Sequence, residues 1–410
     1  MNFTFRTITL GCKVNRVESD SFEAALTAAG LDHDVSLESS DIVVVNTCTV
    51  TSEADSKVRK SVRRAVRESP HATVFVTGCA ASIDPDALSA LDPRVRVVVD
   101  KSTVVPAILE SLGMEAAAFD VSAHPPAGGS RTRVPVKIQD GCGNACTYCI
   151  IHVARGPERS ESTTAVLATI ENAVTAGVRE VVLTGINLGR YSTDDAADLA
   201  ALLVLIEATG IDRVRLSSIE PPDITESLIA TIADTPSFMP HLHIPLQSGS
   251  DKVLAEMGRR YTTAEFAGIV DRLRAEIPGI ALTTDVIVGF PGETDDDFAA
   301  THDFVERMGF SKVHVFRYSQ RDGTPAAGRA DQVDPRLKAE RAAALIELSS
   351  RLREKAIDGR TTGTYSVLVE NIEDGTATGT SQDYFRVAFA AGPDVRTGEV
   401  VDVTRPASIS

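Results

Sequence analysis

This 410-residue chain has only six cysteines, and each trio of them stands just beyond the carboxyl end of short apolar runs. Cys12 follows RTITLG, Cys48 follows DIVVVNT and Cys79 follows TVFVTG. Cys142, Cys146 and Cys149 share one loop, DGCGNACTYCII, directly after VPVKI. Short runs rich in Val, Ile and Thr, alternating with helix-like segments, read as strands of a parallel sheet covered by helices. In such sheets ligands gather at the carboxyl ends of the strands. Cys12, Cys48 and Cys79 are far apart in sequence, yet that topology brings them to one edge.

The alternation predicts strands over 5–10, 42–46, 73–77 and 95–99, with helices over 19–29, 53–68 and 84–91. A Pro/Gly/Ser-rich stretch, DVSAHPPAGGSRTR, reads as a linker. Six more strand candidates follow: VPVKI, EVVLTG, RVRLSSI, HLHIPL, IALTTDVIV and KVHVFRY. Helices are expected near 163–176, stopped by Gly177, near 262–277, and after Thr294 as N-cap. Six β/α units are too few for a closed eight-fold barrel, so an open barrel with room for a bulky substrate is expected. Residues 335–357 read as one long helix, and short strands with Gly and Asp turns follow it. The expected class is α/β. It comprises an N-terminal parallel sheet domain (1–115), a linker (116–133), an open (β/α)6 partial barrel (134–334), a connecting helix (335–357) and a small β-barrel (358–410).

A cubane iron–sulfur cluster has four irons, normally held by four thiolates. Three thiolates leave one iron open for a substrate or cofactor, so two trios suggest two [4Fe-4S] clusters, each with a reactive corner. The CxxxCxxC spacing wraps three thiolates around one corner, and Gly141 and Gly143 permit the tight backbone. A structural zinc site needs four protein ligands, and His152 is the only histidine close to the loop. For the N-terminal trio, spacing alone leaves a second cluster and three buried thiols both open.

The N-terminus lacks a secretion-signal pattern, and no apolar run approaches the length of a membrane span. These features predict a cytoplasmic protein with no membrane partner and with reduced thiols. The formal charge of −16 argues against indiscriminate nucleic-acid binding. One local basic face stands out: SEADSKVRKSVRRAVRE carries Lys57, Arg59, Lys60, Arg63, Arg64 and Arg67 over a buried Val58–Val62–Val66 stripe. It could guide a phosphate backbone or be an ordinary solvated face. From Ile357 onward there are eight acidic and four basic residues, Arg405 among them, which makes a poor electrostatic clamp for RNA. There is no phosphate-binding GxxxxGK[ST] loop, HExxH or GxGxxG motif.

The cysteine loop, with Tyr148 before its last cysteine, resembles the radical S-adenosylmethionine superfamily. Combined with the N-terminal trio, the chain resembles the radical S-adenosylmethionine methylthiotransferases almost throughout. The likeness rests on GCGNACTYCIIHVARGPERS (141–160), VVLTGINLGRY (181–191), RVRLSSIEP (213–221), HLHIPLQSGSDKVLAEMGRRYT (241–262), DVIVGFPGET (285–294) and HVFRYSQRDGTPAA (314–327). His152 departs from it, standing where related sequences usually have proline.

The resemblance implies methylthio insertion at an unactivated C–H bond. Cys142, Cys146 and Cys149 would hold the cluster that binds S-adenosylmethionine and yields a 5′-deoxyadenosyl radical. Cys12, Cys48 and Cys79 would hold an auxiliary cluster handling the sulfur. The SSIEP and PLQSGSDKVL…RRYT stretches resemble the branch acting on N6-threonylcarbamoyladenosine at position 37 of transfer RNA. Related branches act on N6-isopentenyladenosine or on a ribosomal-protein aspartate; outside the class, a non-catalytic iron–sulfur RNA-binding regulator is the rival. The C-terminal module resembles the family's TRAM domain. An electron donor such as flavodoxin or ferredoxin is implied, and the sulfur donor is not specified. Asn187, Glu220 and Gln247, at barrel strand ends, are candidates for contact with S-adenosylmethionine or for shaping the cavity. Gly185 and Gly189 could allow close approach to the cofactor or turn the chain. Arg259, Arg260, Ser217 and Ser218 could serve a polar threonylcarbamoyl group.

Overall fold

In the computed structural model, described for residues 3–33, 36–49, 52–115, 132–360, 363–404 and 406–410, the first sheet has five strands. Strand Thr4–Thr9 lies between the two-residue strand Asp32–His33 and Ile42–Thr47; Thr73–Gly78 and Val95–Val97 follow outward. All pairings are parallel. Ile42–Thr47 is buried along its whole length, as a central strand covered on both faces should be.

The first helix runs Lys13–Ala28, starting six residues before the expected 19. Its buried face mixes Val14 and Val17 with Asn15, Glu18, Ser19 and Ser21, so the apolar periodicity of its first turns is diluted by polar residues. The helix expected over 84–91 is present as Pro85–Ser89, and a further short helix, Cys79–Ile83, precedes it. Asp84 separates the two, accepting a hydrogen bond from the Ala87 amide as N-cap of the second, with Pro85 fitting the first helical position. Helix Val104–Ser111 was not anticipated. The linker expected over 116–133 falls outside the described residues, apart from 132 and 133.

The six expected barrel strands are present in chain order. Arg133–Lys137, Glu180–Thr184 and Arg213–Leu216 form one parallel sheet. His241–His243, Ala281–Val288 and Lys312–Arg317 form another. Parallel bridges Val214↔Phe238 and Ser218↔His243 join the two into one arc. Among the described residues the outer strands do not pair with each other, so the barrel is open. Helices Thr163–Thr175, Thr263–Glu276 and Asp295–Met308 lie where periodicity placed them. The last two begin in reciprocal capping boxes, Thr262 with Glu265 and Thr294 with Asp297.

The N-terminal unit meets the barrel along two contacts. Helix Lys13–Ala28 packs beside edge strand Arg133–Lys137, and Cys79–Ile83 packs against the short helix Ile151–Arg155. The long helix Pro335–Asp358 covers strand Lys312–Arg317 and leads to a five-stranded antiparallel sheet. Arg213 and Arg215 bind this module to the amino ends of the barrel strands. Arg213 donates to the carbonyls of Ser366 and Thr380, and Arg215 to those of Ser381 and Gln382. Glu180 pairs with both guanidinium groups, at 2.8 Å each.

Candidate functional site

Three neighbouring strands of the first sheet end at Thr9, Thr47 and Gly78, and a cysteine follows close behind each. Adjacent strands are ~4.8 Å apart, so the three strand ends lie within about 10 Å of one another. The turns are closely packed. A Cβ at Gly11 would fall 2.7 Å from Cys48 Cβ, and one at Gly78 2.5 Å from the Thr47 carbonyl oxygen. Both glycines also have positive φ, +107° and +96°. Asn15 staples the edge, its amide donating to the carbonyls of Leu10 and Thr47. The Cys12 thiol lies 3.6 Å from Asn15 Oδ1.

The second trio sits on a loop that few sequences could follow. Gly141 has φ +75°, and a Cβ there would be 1.9 Å from the Pro157 carbonyl oxygen. Thr147 pins the loop from the far side, its amide donating to Met257 O and its hydroxyl to Glu256 O. Donors point at all three sulfurs: the Asn144 amide at Cys142 (3.4 Å), the Ile151 amide at Cys149 (3.5 Å) and Arg259 at Cys146 (3.4 Å). Burial pushes the thiols of Cys142 and Cys149 upward, the latter to about 11. Metal binding must therefore expel protons from them at neutral pH.

One cavity of about 850 Å³ is lined by all six cysteines. It extends down the barrel interior to Asp383, Tyr384 and Phe385 of the C-terminal module. Among the described residues no three His, Cys, Asp or Glu side chains converge as a single metal ion requires. Thiols spread over neighbouring strand ends suit instead a polynuclear group that takes each thiolate on a different iron.

Between the two trios lies a buried ionic network. Arg155, from the helix after the cysteine loop, donates through Nε to Cys79 Sγ at 3.2 Å. Its other nitrogens reach Glu18 (2.8 Å), Asp140 (3.0 Å) and Asn15 (2.5 Å). Lys101 also binds Glu18 at 2.7 Å, and Lys137 and Arg159 bind Asp140. Burial alone would raise the carboxyl pKa of Glu18 and Asp140. Arg155 and the neighbouring cations outweigh it, so both lie below the ordinary range, Asp140 far below. One guanidinium thus joins a residue of each trio's supporting shell.

Other expected residues fall as follows. Gln247 is buried at φ +66° and its Oε1 has no partner. The amide nitrogen of Asn187 donates to Glu158, while its Oδ1 is buried and unpartnered. Glu220 and Arg259 form an ion pair beside Cys146, so Arg259 is already engaged. Arg260 is exposed and does not line the large cavity, whereas Ser217 and Ser218 do. A Cβ at Gly185 would meet Gln139 at 3.0 Å, and one at Gly189 would meet Asp223 at 2.3 Å. Both glycines are thus required by neighbouring side chains. Gln139 in turn accepts from the amides of Ile186 and Asn187 and donates to the carbonyls of Asp140 and Gly141. His152 is half-buried, with Nδ1 unpartnered.

On the basic helix, now Ser52–Glu68, three of the six cations are tied to glutamates. Lys57 pairs with Glu53, and Arg64 and Arg67 pair with Glu68. Arg59, Lys60 and Arg63 are exposed. Arg405 lies outside the described residues. Sequence reasoning missed Lys13, Asn15, Glu18, Gln139, Asp140, Arg155 and Tyr384. All but Tyr384 lie within a few residues of a cysteine, the one signal that could have drawn attention to them.

A family model described as the radical SAM superfamily matches residues 136–305, and one described as uncharacterized protein family UPF0004 matches residues 4–100. The threonylcarbamoyladenosine tRNA methylthiotransferase MtaB of Bacillus subtilis is 38% identical, over 96% of this chain and 92% of its own. The protein of the same name from Chlamydia pneumoniae is also 38% identical, over 98% and 94%. The tRNA-2-methylthio-N(6)-dimethylallyladenosine synthase of Mycolicibacterium vanbaalenii is 37% identical, over 98% and 85%. The radical S-adenosylmethionine methyltransferase TsrM of Kitasatospora setae superposes with a TM-score of 0.58 at 16% identity, over 80% of this chain and 77% of its own. That last likeness is one of fold.

Proposed function

The chain belongs to the radical S-adenosylmethionine methylthiotransferases, and from that premise we propose that it adds a methylthio group to C2 of N6-threonylcarbamoyladenosine at position 37 of transfer RNA. The observation that carries this reading is the single chamber whose wall holds both cysteine trios. Sulfur insertion at an unactivated C–H bond needs a radical source and a sulfur depot within reach of one substrate atom. Cys142, Cys146 and Cys149 would hold the [4Fe-4S] cluster that takes S-adenosylmethionine; Cys12, Cys48 and Cys79 would hold the auxiliary one. When bound, these groups supply the hydrogen-abstracting radical and the sulfur.

The chain's own contribution is placement. Arg259 puts a guanidinium beside one trio and Arg155 beside the other, each donating to a ligand sulfur. The buried, unpartnered oxygens of Asn187 and Gln247 are acceptors available to S-adenosylmethionine or the substrate base.

The choice of base rests on chamber chemistry. A dimethylallyl tail needs only an apolar pocket, while a threonylcarbamoyl group needs polar partners. The chamber is lined by His241, His243, His314, Thr283 and Ser217, which favours the threonylcarbamoyl group. The Mycolicibacterium relative keeps the dimethylallyl substrate as the second reading. Nucleoside mass spectrometry of transfer RNA from cells lacking this protein separates the two. The methylthiolated threonylcarbamoyl nucleoside should vanish; its persistence at normal level would refute the assignment.

In this reading Arg59, Lys60 and Arg63, with Lys57, Arg64 and Arg67 behind them, form an RNA-facing surface. The C-terminal module acts as a TRAM-like element. Reduction comes from a flavodoxin or ferredoxin, and the enzyme works in the cytoplasm with transfer RNA. No helix among the described residues is long and apolar enough to cross a membrane.

A further inference from the structure

The chamber wall carries cations without a carboxylate partner among the described residues, although the protein as a whole has a formal charge of −16; one of them, Arg353, donates to the Ser311 carbonyl and lies over the Phe385 ring. Lys13, Lys312 and Arg353 line the cavity. Among the described residues none of the three forms an ion pair with a carboxylate. The chamber's own acids are committed elsewhere: Glu220 to Arg259, Asp383 to Arg360, and Asp285 beside His243. Glu180, a carboxylate that acts on Lys13, is already bound by Arg213 and Arg215. Lys13 and Lys312 are solvent-exposed where they line the cavity, so each can meet the charge of an anionic ligand that enters it.

A built surface lies next to Lys13. Tyr384 of the C-terminal module is held at φ +70°, a backbone conformation rare for an aromatic residue and common where a side chain is aimed for function. Its ring stacks on His241 with centroids 4.3 Å apart and 23° between planes. The guanidinium groups of Arg133 and Arg215 lie 5.7 and 5.1 Å from its centroid. His241 is 5% exposed; its Nε2 meets Thr283, and its Nδ1 is buried without any partner. The C-terminal module, too acidic to clamp RNA by charge, therefore contributes an aromatic wall to the reaction chamber.

We propose that Lys13, with Tyr384 and the Nδ1 edge of His241, forms a subsite for the carboxylate carried on the N6 substituent of the substrate base. This rests on the threonylcarbamoyladenosine reading above. It assigns discrimination between that base and its dimethylallyl counterpart to one cation beside the auxiliary trio. A dimethylallyl group would leave Lys13 without a counter-charge; a threonyl carboxylate supplies it.

The test is binding, measured anaerobically on full-length protein with both clusters loaded. Three anticodon stem-loops are compared: one with plain adenosine at position 37, one with threonylcarbamoyladenosine, and one in which the threonyl carboxylate is a primary amide. The wild type should prefer the carboxylate RNA to the amide RNA by about tenfold or more, as a charge-assisted contact predicts. Lys13→Gln, with its iron content verified, should bring that ratio close to one. Tyr384→Asn, which tolerates the left-handed backbone and touches no cysteine loop, should cut it several-fold and carries the test should Lys13→Gln load poorly. A ratio that survives in both variants overturns the proposal. So does equal weakening of all three RNAs by Lys13→Gln, since Lys13 would then hold a backbone phosphate. A wild type with no preference for threonylcarbamoyladenosine over plain adenosine overturns the substrate reading itself, and the subsite with it.

Discussion

Replacing Arg155 with methionine removes a buried guanidinium while keeping much of the side chain's length. The group makes four hydrogen bonds, to Cys79, Glu18, Asp140 and Asn15. Its loss leaves Glu18, fully buried, paired with Lys101 among the described residues, and Asp140 with Lys137 and Arg159. Breaking a buried pair by removing one partner costs about 3–5 kcal/mol. Both carboxylates keep a cation, so the low end applies, ~3 kcal/mol, or a little over two powers of ten in the folding equilibrium. Urea denaturation of the metal-free protein reads this directly, because cluster loss cannot then contribute. Glu18→Gln should destabilise by less, and the double variant by less than the sum, with a coupling above about 1 kcal/mol. A loss for Arg155→Met below about 1 kcal/mol, or simple additivity, would refute the claim that this guanidinium joins the two halves of the site.

Acid should weaken the same network. Glu18 and Asp140 have carboxyl pKa values below the ordinary range, so their contribution is complete above about pH 4 and is lost as pH falls through the depressed folded values. Asp140→Asn combined with Glu18→Gln should flatten that acid-side loss in a pH series of denaturation midpoints; an unchanged slope would count against the ion pairs. Gly141→Ala should fail to load the radical-cluster loop, since its Cβ would sit 1.9 Å from a carbonyl oxygen; iron content falling by about half checks this. Cys48→Ala should still cleave S-adenosylmethionine to 5′-deoxyadenosine but transfer no sulfur, and a variant that methylthiolates normally would remove the auxiliary role from Cys48. Arg215→Met should loosen the C-terminal module, visible as faster amide exchange in Thr376–Ser381, because three hydrogen bonds from that guanidinium disappear.

The strands and the open barrel were legible because buried parallel strands are continuous apolar runs, and the cysteines announced themselves by position. The start of the first helix was misplaced because half of its buried face is polar: Asn15 and Glu18 face Arg155, a partner 140 and 137 residues away. Nothing in the local sequence around Arg155 distinguishes a buried cation from a surface one. Arg259 was read as a substrate contact from its neighbourhood, yet Glu220 claims it. Tyr384 was invisible because its importance comes from a left-handed backbone and from His241, two features set by tertiary packing. The basic helix read correctly as an exposed face, but half of its cations are spent on glutamates one turn or less away.

Iron and acid-labile sulfide, measured per chain after anaerobic reconstitution, test most directly whether each thiolate trio holds a cluster of its own. The wild type should hold about eight irons, and replacing either Cys12, Cys48 and Cys79 or Cys142, Cys146 and Cys149 with alanine should leave about four. A wild type that saturates at about four irons, unaffected by loss of the amino-terminal trio, would contradict the account.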